Sequence, residues 1–184
     1  MIQTAALLID LQRDFLDADC ARMPVDAGGA ASVLHNANAI LAKRALGASI
    51  PVLILNQFPA SDRIRNFFRK GAAISGTPGA GLDSRVRYSG HVKVITKSSP
   101  SAFTNPELES YLKAQGVNEL YVMGVFAEGC VRATVLEALR RGYKVNVITD
   151  AVATNRPWKK QFALWAMKRA GAVLLPSVDT SNAS

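Results

Sequence analysis

Short apolar runs rich in β-branched residues recur along the chain, at Ala5–Ile9, Pro51–Leu55, Val92–Ile95, Leu120–Val125, Val145–Ile148 and Ala172–Leu175. Each is nearly continuous rather than alternating, the pattern of a strand covered on both faces. Between them, apolar positions fall at helical spacing over Ala30–Leu46, Pro106–Gln115, Val131–Arg141 and Trp158–Ala170. Asn105-Pro106 supplies an N-cap and a first-turn proline, and Gly116, Gly142 and Gly171 fall where helices end. Strand then helix, repeated, predicts an α/β doubly wound parallel sheet. One segment breaks the rhythm. Residues 58–83 lack clean periodicity and carry Arg63, Arg65, Arg69 and Lys70, followed by Gly76-Thr77-Pro78-Gly79-Ala80-Gly81. Long irregular insertions in compact domains are often binding loops, so 58–83 reads as a lid or a subunit contact. The tail after Pro176 reads as frayed. With no internal repeat and no linker, residues 1–184 form one domain.

Composition narrows the class. Hydrophobic residues at 49% and charged residues at 20% exclude a disordered, collagenous or coiled-coil chain. Two cysteines, Cys20 and Cys130, are too few for a disulfide framework and too isolated for a Cys-x-x-Cys site, which points to the cytoplasm. The start, MIQTAALLIDLQRDFL, lacks a basic n-region and meets Asp10 after a short apolar run, as a first strand does. No stretch approaches the roughly 20 apolar residues of a membrane span. His35 and His91 are the only histidines, so neither a bound metal nor another cofactor is expected. The net charge of +8 invites a nucleic-acid reading. Its basic pairs, Lys43-Arg44, Arg140-Arg141, Lys159-Lys160 and Lys168-Arg169, are spread over helices, often near C-termini where cations suit the macrodipole. No nucleic-acid-binding motif accompanies them, and neither a nucleic-acid nor a membrane partner is expected.

In an open parallel sheet, ligands bind beyond the carboxyl ends of the strands. Asp10 ends the first strand, Lys97 the third, and Cys130 stands where the helix after the fourth begins. Each has a plain alternative: an aspartate that caps a turn, a solvated lysine, a cysteine that serves as a small hydrophobe. Cys20, in the polar loop DADCARMP, fits the plain case. Together the other three make a set. A thiol at a helix start, with a cation beside it, is expected to favour thiolate. Asp10 can move the thiol proton, and backbone N–H groups around Gly124–Cys130 can hold an oxyanion, which suffices for acyl transfer through a thioester.

These residues resemble the isochorismatase-like superfamily of cysteine hydrolases over nearly the whole chain. ALLIDLQRDF resembles the first-strand motif, with Asp10, Gln12 and Phe15; VITKSSPSAF resembles the lysine segment, with Lys97; GVFAEGCVRATVLEALRRGYKVNVITDAVAT resembles the nucleophile segment, with Cys130. GTPGAGLDSRV resembles a further family loop, with Gly81 where glutamate is usual, and Ala127 stands where many relatives have threonine. The resemblance implies a Rossmann-like three-layer α/β/α sandwich with a six-stranded parallel sheet and an Asp10-Lys97-Cys130 triad. It also implies a cis peptide at Val125-Phe126 and an oxyanion hole from the N–H groups of Phe126 and Cys130. Nicotinamidases of the family carry an Asp-x-His metal motif after the second strand, whereas here PVLILNQFPASD has Asn56, Gln57 and no histidine. True isochorismatases lack the cysteine. The branch left is that of metal-independent amidases, similar to N-carbamoylsarcosine amidase.

The expected substrate is a small amide or ureide among Phe15, Asn56, Gln57 and Phe126, with Arg63 or Arg65 meeting a carboxylate by a forked pair. Ile64, Phe67 and Phe68 read as the apolar face of a lid or as the contact of a homodimer or homotetramer. The competing readings are a catalytically silent binding protein on the same fold and a nicotinamidase.

Overall fold

The computed structural model describes residues 3–42, 46, 49–88 and 92–176. His91, Lys43-Arg44 and the tail from residue 177 lie outside the described residues.

Six strands, β1 (Gln3–Ile9), β2 (Ile50–Asn56), β3 (Lys93–Lys97), β4 (Val117–Val125), β5 (Lys144–Ala153) and β6 (Val173–Leu175), form one sheet in the order β3-β2-β1-β4-β5-β6. Every pairing is parallel. The chain order runs outward from β1 in one direction and then, from β4, in the other, so a crevice opens between the ends of β1 and β4.

Side chains alternate across β1 and build two cores. Ala5, Leu7 and Ile9 pack with Leu108 and Leu112 of α4 (Pro106–Ala114), Val135 and Ala138 of α5 (Arg132–Arg140), and Ala163, Leu164 and Met167 of α6 (Pro157–Arg169). Ala6 and Leu8 face the other way, onto Ala30, Val33, Leu34, Ala37, Ile40 and Leu41 of α2 (Ala27–Leu41), which follows the single-turn helix α1 (Arg13–Leu16). This is the expected three-layer sandwich. Burying each such Leu or Ile is worth about 1.5–3 kcal/mol, which is what holds a strand this apolar at the centre.

The boundaries differ from the sequence pattern where polar residues intrude. α2 starts three residues early because the Asp26 side chain accepts a hydrogen bond from Gly29 N at 2.7 Å. β3 runs on past the apolar run Val92–Ile95 through Thr96 to Lys97, which is the strand's last residue. β5 continues past Thr149-Asp150 to Ala153, with its register on β4 stepping from Val122↔Val147 to Gly124↔Val152. The insertion 58–83 is less irregular than its sequence suggests. It holds a short helix, α3 (Arg63–Phe68), and a 3₁₀ turn at Pro78–Ala80. Ile64, Phe67 and Phe68 of α3 are 75%, 80% and 78% exposed, so the helix has no buried stripe for a periodicity to reveal. Among the described residues no helix is long and apolar enough to cross a membrane.

Candidate active site

The sheet register brings the three reactive residues together. Ile9 lies opposite Ile54 of β2 and Gly124 of β4, which sets Asp10 between those strands, while Asn56 at the end of β2 pairs with Lys97 at the end of β3. Asp10 turns out of β1 with φ 58, in the left-handed region that Asp tolerates better than most residues, and its N–H donates to Ile54 O at 2.8 Å. Gly124 allows the approach from the other side. At φ 122, a Cβ there would stand 2.1 Å from Ile9 O, so β4 can run this close to β1 only with glycine.

After β4 the peptide Val125–Phe126 is cis, as expected. The chain then makes a π turn over Ala127–Val131, in which Val131 N donates to Phe126 O and Gly129 takes non-helical angles, before α5 begins. Cys130 sits in that turn, at the entrance to α5.

At the base of the site Lys97 Nζ donates to Asp10 Oδ2 at 3.0 Å, with both side chains buried. Asn56 Nδ2 donates to the same Asp10 oxygen at 2.6 Å and lies 3.5 Å from Cys130 Sγ, linking acid and thiol. Burial pushes the Asp10 carboxyl above the usual carboxylate range, against the pull of the Lys97 ammonium. For Lys97 burial acts downward, but Asp10 and the Cys130 sulfur outweigh it and hold the ammonium above its usual range. Burial, with the Asp10 charge beside it, drives the Cys130 thiol up to about 12. This direction runs against the thiolate that the helix start and Lys97 favour: desolvation and a neighbouring carboxylate raise the thiol, and Lys97 lowers it.

Asp10, Asn56 and Cys130 open into a cavity of about 270 Å³. Phe15 and Phe126 form one side, edge to face at 5.5 Å between ring centroids, and Met23, Phe58 and Ala72 add apolar surface. Arg69, Glu128, Asn155 and Lys159 supply polar groups. Asp10 Oδ1, Asn56 Oδ1 and Glu128 Oε2 are buried acceptors that take no hydrogen bond within the described protein.

The residues expected from the sequence divide. Asp10, Lys97, Cys130, Asn56, Phe15 and Phe126 come together. Gln57 does not line this cavity: its Nε2 donates to Ala80 O at 3.2 Å, holding the 3₁₀ turn. Arg63 does not either. It opens α3 and lies along an outer groove with Phe67 and Phe68, because Asp62 caps the helix and turns its first residue outward. Arg65, exposed in the middle of α3, also lies off the cavity. The arginine that does line it is Arg69, at the end of α3. Glu128 and Lys159 were also missed. The position of Glu128 between Phe126 and Cys130, and of Lys159 in the first turn after β5, are the signals that point to them. Cys20 is exposed and donates to Asp17 Oδ2 at 3.0 Å, away from the cavity.

Residues 4–179 match the family model described as the isochorismatase domain. A protein of Bacillus subtilis named an uncharacterized isochorismatase family protein is 34% identical over 153 residues, 83% of this chain and 78% of that one. An Arabidopsis thaliana protein named a probable inactive nicotinamidase is 29% identical over 178 residues, 91% of this chain and 89% of that one. Among solved structures, the pyrazinamidase of Pyrococcus horikoshii in complex with zinc superposes with a TM-score of 0.83 at 28% identity, covering 95% of this chain and 99% of that one. The residues here do not suit such a metal: among the described residues no group of three or more His, Cys, Asp or Glu is placed to hold an ion.

Proposed function

The chain belongs to the isochorismatase family of hydrolases, and we propose that it is a cysteine-dependent amidohydrolase cleaving a small amide or ureide C–N bond through a thioester, with release of ammonia or an amine. One observation supports this above the others: a thiol, a carboxylate and an ammonium, on three different elements, meet at the base of one cavity, with Lys97 3.0 Å and Asn56 2.6 Å from the same Asp10 oxygen.

Each part has a task. Asp10 takes the Cys130 proton through Oδ1, the oxygen that neither Lys97 nor Asn56 engages. The sulfur attacks the substrate carbonyl, and the N–H groups of Phe126 and Cys130 hold the oxyanion. Asp10 returns the proton to the leaving nitrogen, the C–N bond breaks, and a thioester remains. Water, deprotonated by Asp10, then opens the thioester and restores the thiol, with the acid as the second product. Lys97 keeps Asp10 anionic between steps.

The test is ammonia release from a panel of primary amides and ureides, with intact-protein mass spectrometry to trap the acyl adduct. Wild type is expected to release ammonia and carry an adduct on Cys130. Release by Cys130→Ala at the wild-type rate sinks the thioester mechanism.

A second reading is a silent protein on the same fold, favoured by the protonated Cys130 thiol, held up to about 12, and by the name of the Arabidopsis relative. It predicts no turnover of any amide in the panel and no acyl adduct.

A further inference from the structure

We propose that Arg69 is the specificity-determining residue of this cavity and that it selects amides carrying a carboxylate apart from the scissile bond. The inference names the substrate class for the amidohydrolase reading and rests on it.

Arg69 shares the cavity wall with Cys130 and Asp10. Its guanidinium carbon lies 3.6 Å from the centroid of Phe58, so the planar group is stacked on an aromatic face and its orientation is fixed before any ligand arrives. Stacking uses the faces and leaves the edge donors free. Of those donors only Nη1 is engaged among the described residues, by Asn66 Oδ1 at 3.2 Å. The carboxylate nearest to it, Asp62, stands 4.0 Å from Nη1, beyond hydrogen-bond range, and also serves Arg65 at 3.7 Å and the cap of α3.

The other charges at this site have partners. Lys97, buried beneath the cavity, answers Asp10 at 3.0 Å, and Lys159 on the wall answers Glu128 at 3.4 Å. That leaves Arg69 as the cavity cation whose charge is least matched among the described residues. Burial holds its pKa below the usual arginine value, the direction expected of a guanidinium short of compensating anions. A stacked, partly desolvated fork with open edge donors is the arrangement that binds a carboxylate bidentately. The apolar wall of Phe15, Phe58 and Phe126 lies in the same cavity and fits a short carbon spacer between carboxylate and amide.

The experiment compares kcat/KM for succinamate with that for its uncharged counterpart, succinamide, in wild type, Arg69→Gln, Arg69→Lys and Arg63→Gln, each checked for its thermal transition. Wild type is expected to favour the anionic amide. Arg69→Gln should lower the anionic-to-neutral ratio about 30-fold, mainly through KM, the scale of a lost charge-assisted pair. Arg69→Lys, which keeps the charge but not the fork, should recover part of it, and Arg63→Gln should leave the ratio alone. A wild type that turns over succinamide as well as succinamate, or an Arg69→Gln ratio equal to wild type, overturns the inference and leaves the amidase reading standing. A second measurement does not need turnover: succinate should slow alkylation of Cys130 in wild type and have at least 10-fold less effect in Arg69→Gln. Protection equal in the two proteins overturns the inference. Protection that depends on Arg69, with no hydrolysis of any amide, overturns the amidase reading and keeps the anion site.

Discussion

The strand-end rim and the 58–83 segment face each other across one cavity, and they are held in place by different means. The rim is set by sheet register: Asp10, Asn56, Lys97 and Gly124 are strand ends or the residues next to them, with β1, β2 and β4 paired on both sides and Lys97 on the edge strand β3, paired with β2 alone. The 58–83 segment is held by buried Phe58, Ala72 and Ala73, by backbone hydrogen bonds from Arg13 to Gly81 and from Asp83 to Leu11, and by polar side chains from the rest of the fold. Gln12 Nε2 donates to Ala80 O at 2.7 Å and to Asn56 O at 2.8 Å, while Asp14 accepts from Ala73 N at 2.8 Å. The outer surface of the segment, at Phe67 and Phe68, is largely exposed among the described residues. On the proposed mechanism the chemistry sits on strand ends and the ligand-selecting wall on the 58–83 segment, so substitutions in each should move different observables.

The sharpest break is at the rim. Cys130→Ala and Asp10→Asn are each expected to reduce kcat by about 10⁴-fold or more with KM little changed, measured by ammonia release, because residues that act as a unit fail together. Gly124→Ala should follow. Its Cβ meets the Ile9 carbonyl at 2.1 Å, a backbone atom that cannot step aside, so a loss of about 3 kcal/mol in denaturant unfolding is expected along with loss of activity.

Gln12 joins the two regions, since its Oε1 also accepts from Asn56 N at 2.8 Å. Gln12→Ala should cost about 3 kcal/mol and change both kcat and KM. Asp14→Ala frees only the 58–83 side. It should cost about 1–2 kcal/mol and raise KM with kcat nearly kept. If Asp14→Ala lowers kcat as strongly as Gln12→Ala, the two regions are not separable.

The smallest effect is in the pH profile. Asp10 must be ionised to accept the thiol proton, and burial raises its pKa. Activity should therefore fall as pH drops through a value above the usual carboxylate range, about tenfold per pH unit below it. Lys97→Met removes the opposing pull, so the acid limb of kcat/KM should move to still higher pH. An acid limb at the position of an ordinary exposed carboxylate would mean that Asp10 is not the group titrating.

The rim was legible in the sequence because it follows from strand ends, which apolar runs locate to within a residue or two. Lys97 stands at the end of the third strand as the sequence suggests, although the apolar run alone stops at Ile95, since a buried lysine paired with Asp10 adds nothing to an apolar pattern. The wall was less legible. Arg63, Arg65 and Arg69 look alike in sequence, and what separates them is a six-residue helix with an exposed apolar face, capped by Asp62, whose end delivers Arg69 onto Phe58. Gln57 looked like a substrate ligand because it neighbours Asn56, yet the pleat sends neighbouring side chains to opposite faces. The direction of the Cys130 shift was hidden for the same kind of reason: a helix start is visible in sequence, and the depth at which the thiol is buried is not.

That protonated thiol also bears on durability. Peroxide and disulfides react with thiolate, and a sulfur kept near a pKa of about 12 offers almost none of it at rest. Cys20, exposed on the surface, should therefore take up an oxidant or alkylating label before Cys130, leaving the inner sulfur reduced in a protein that carries both.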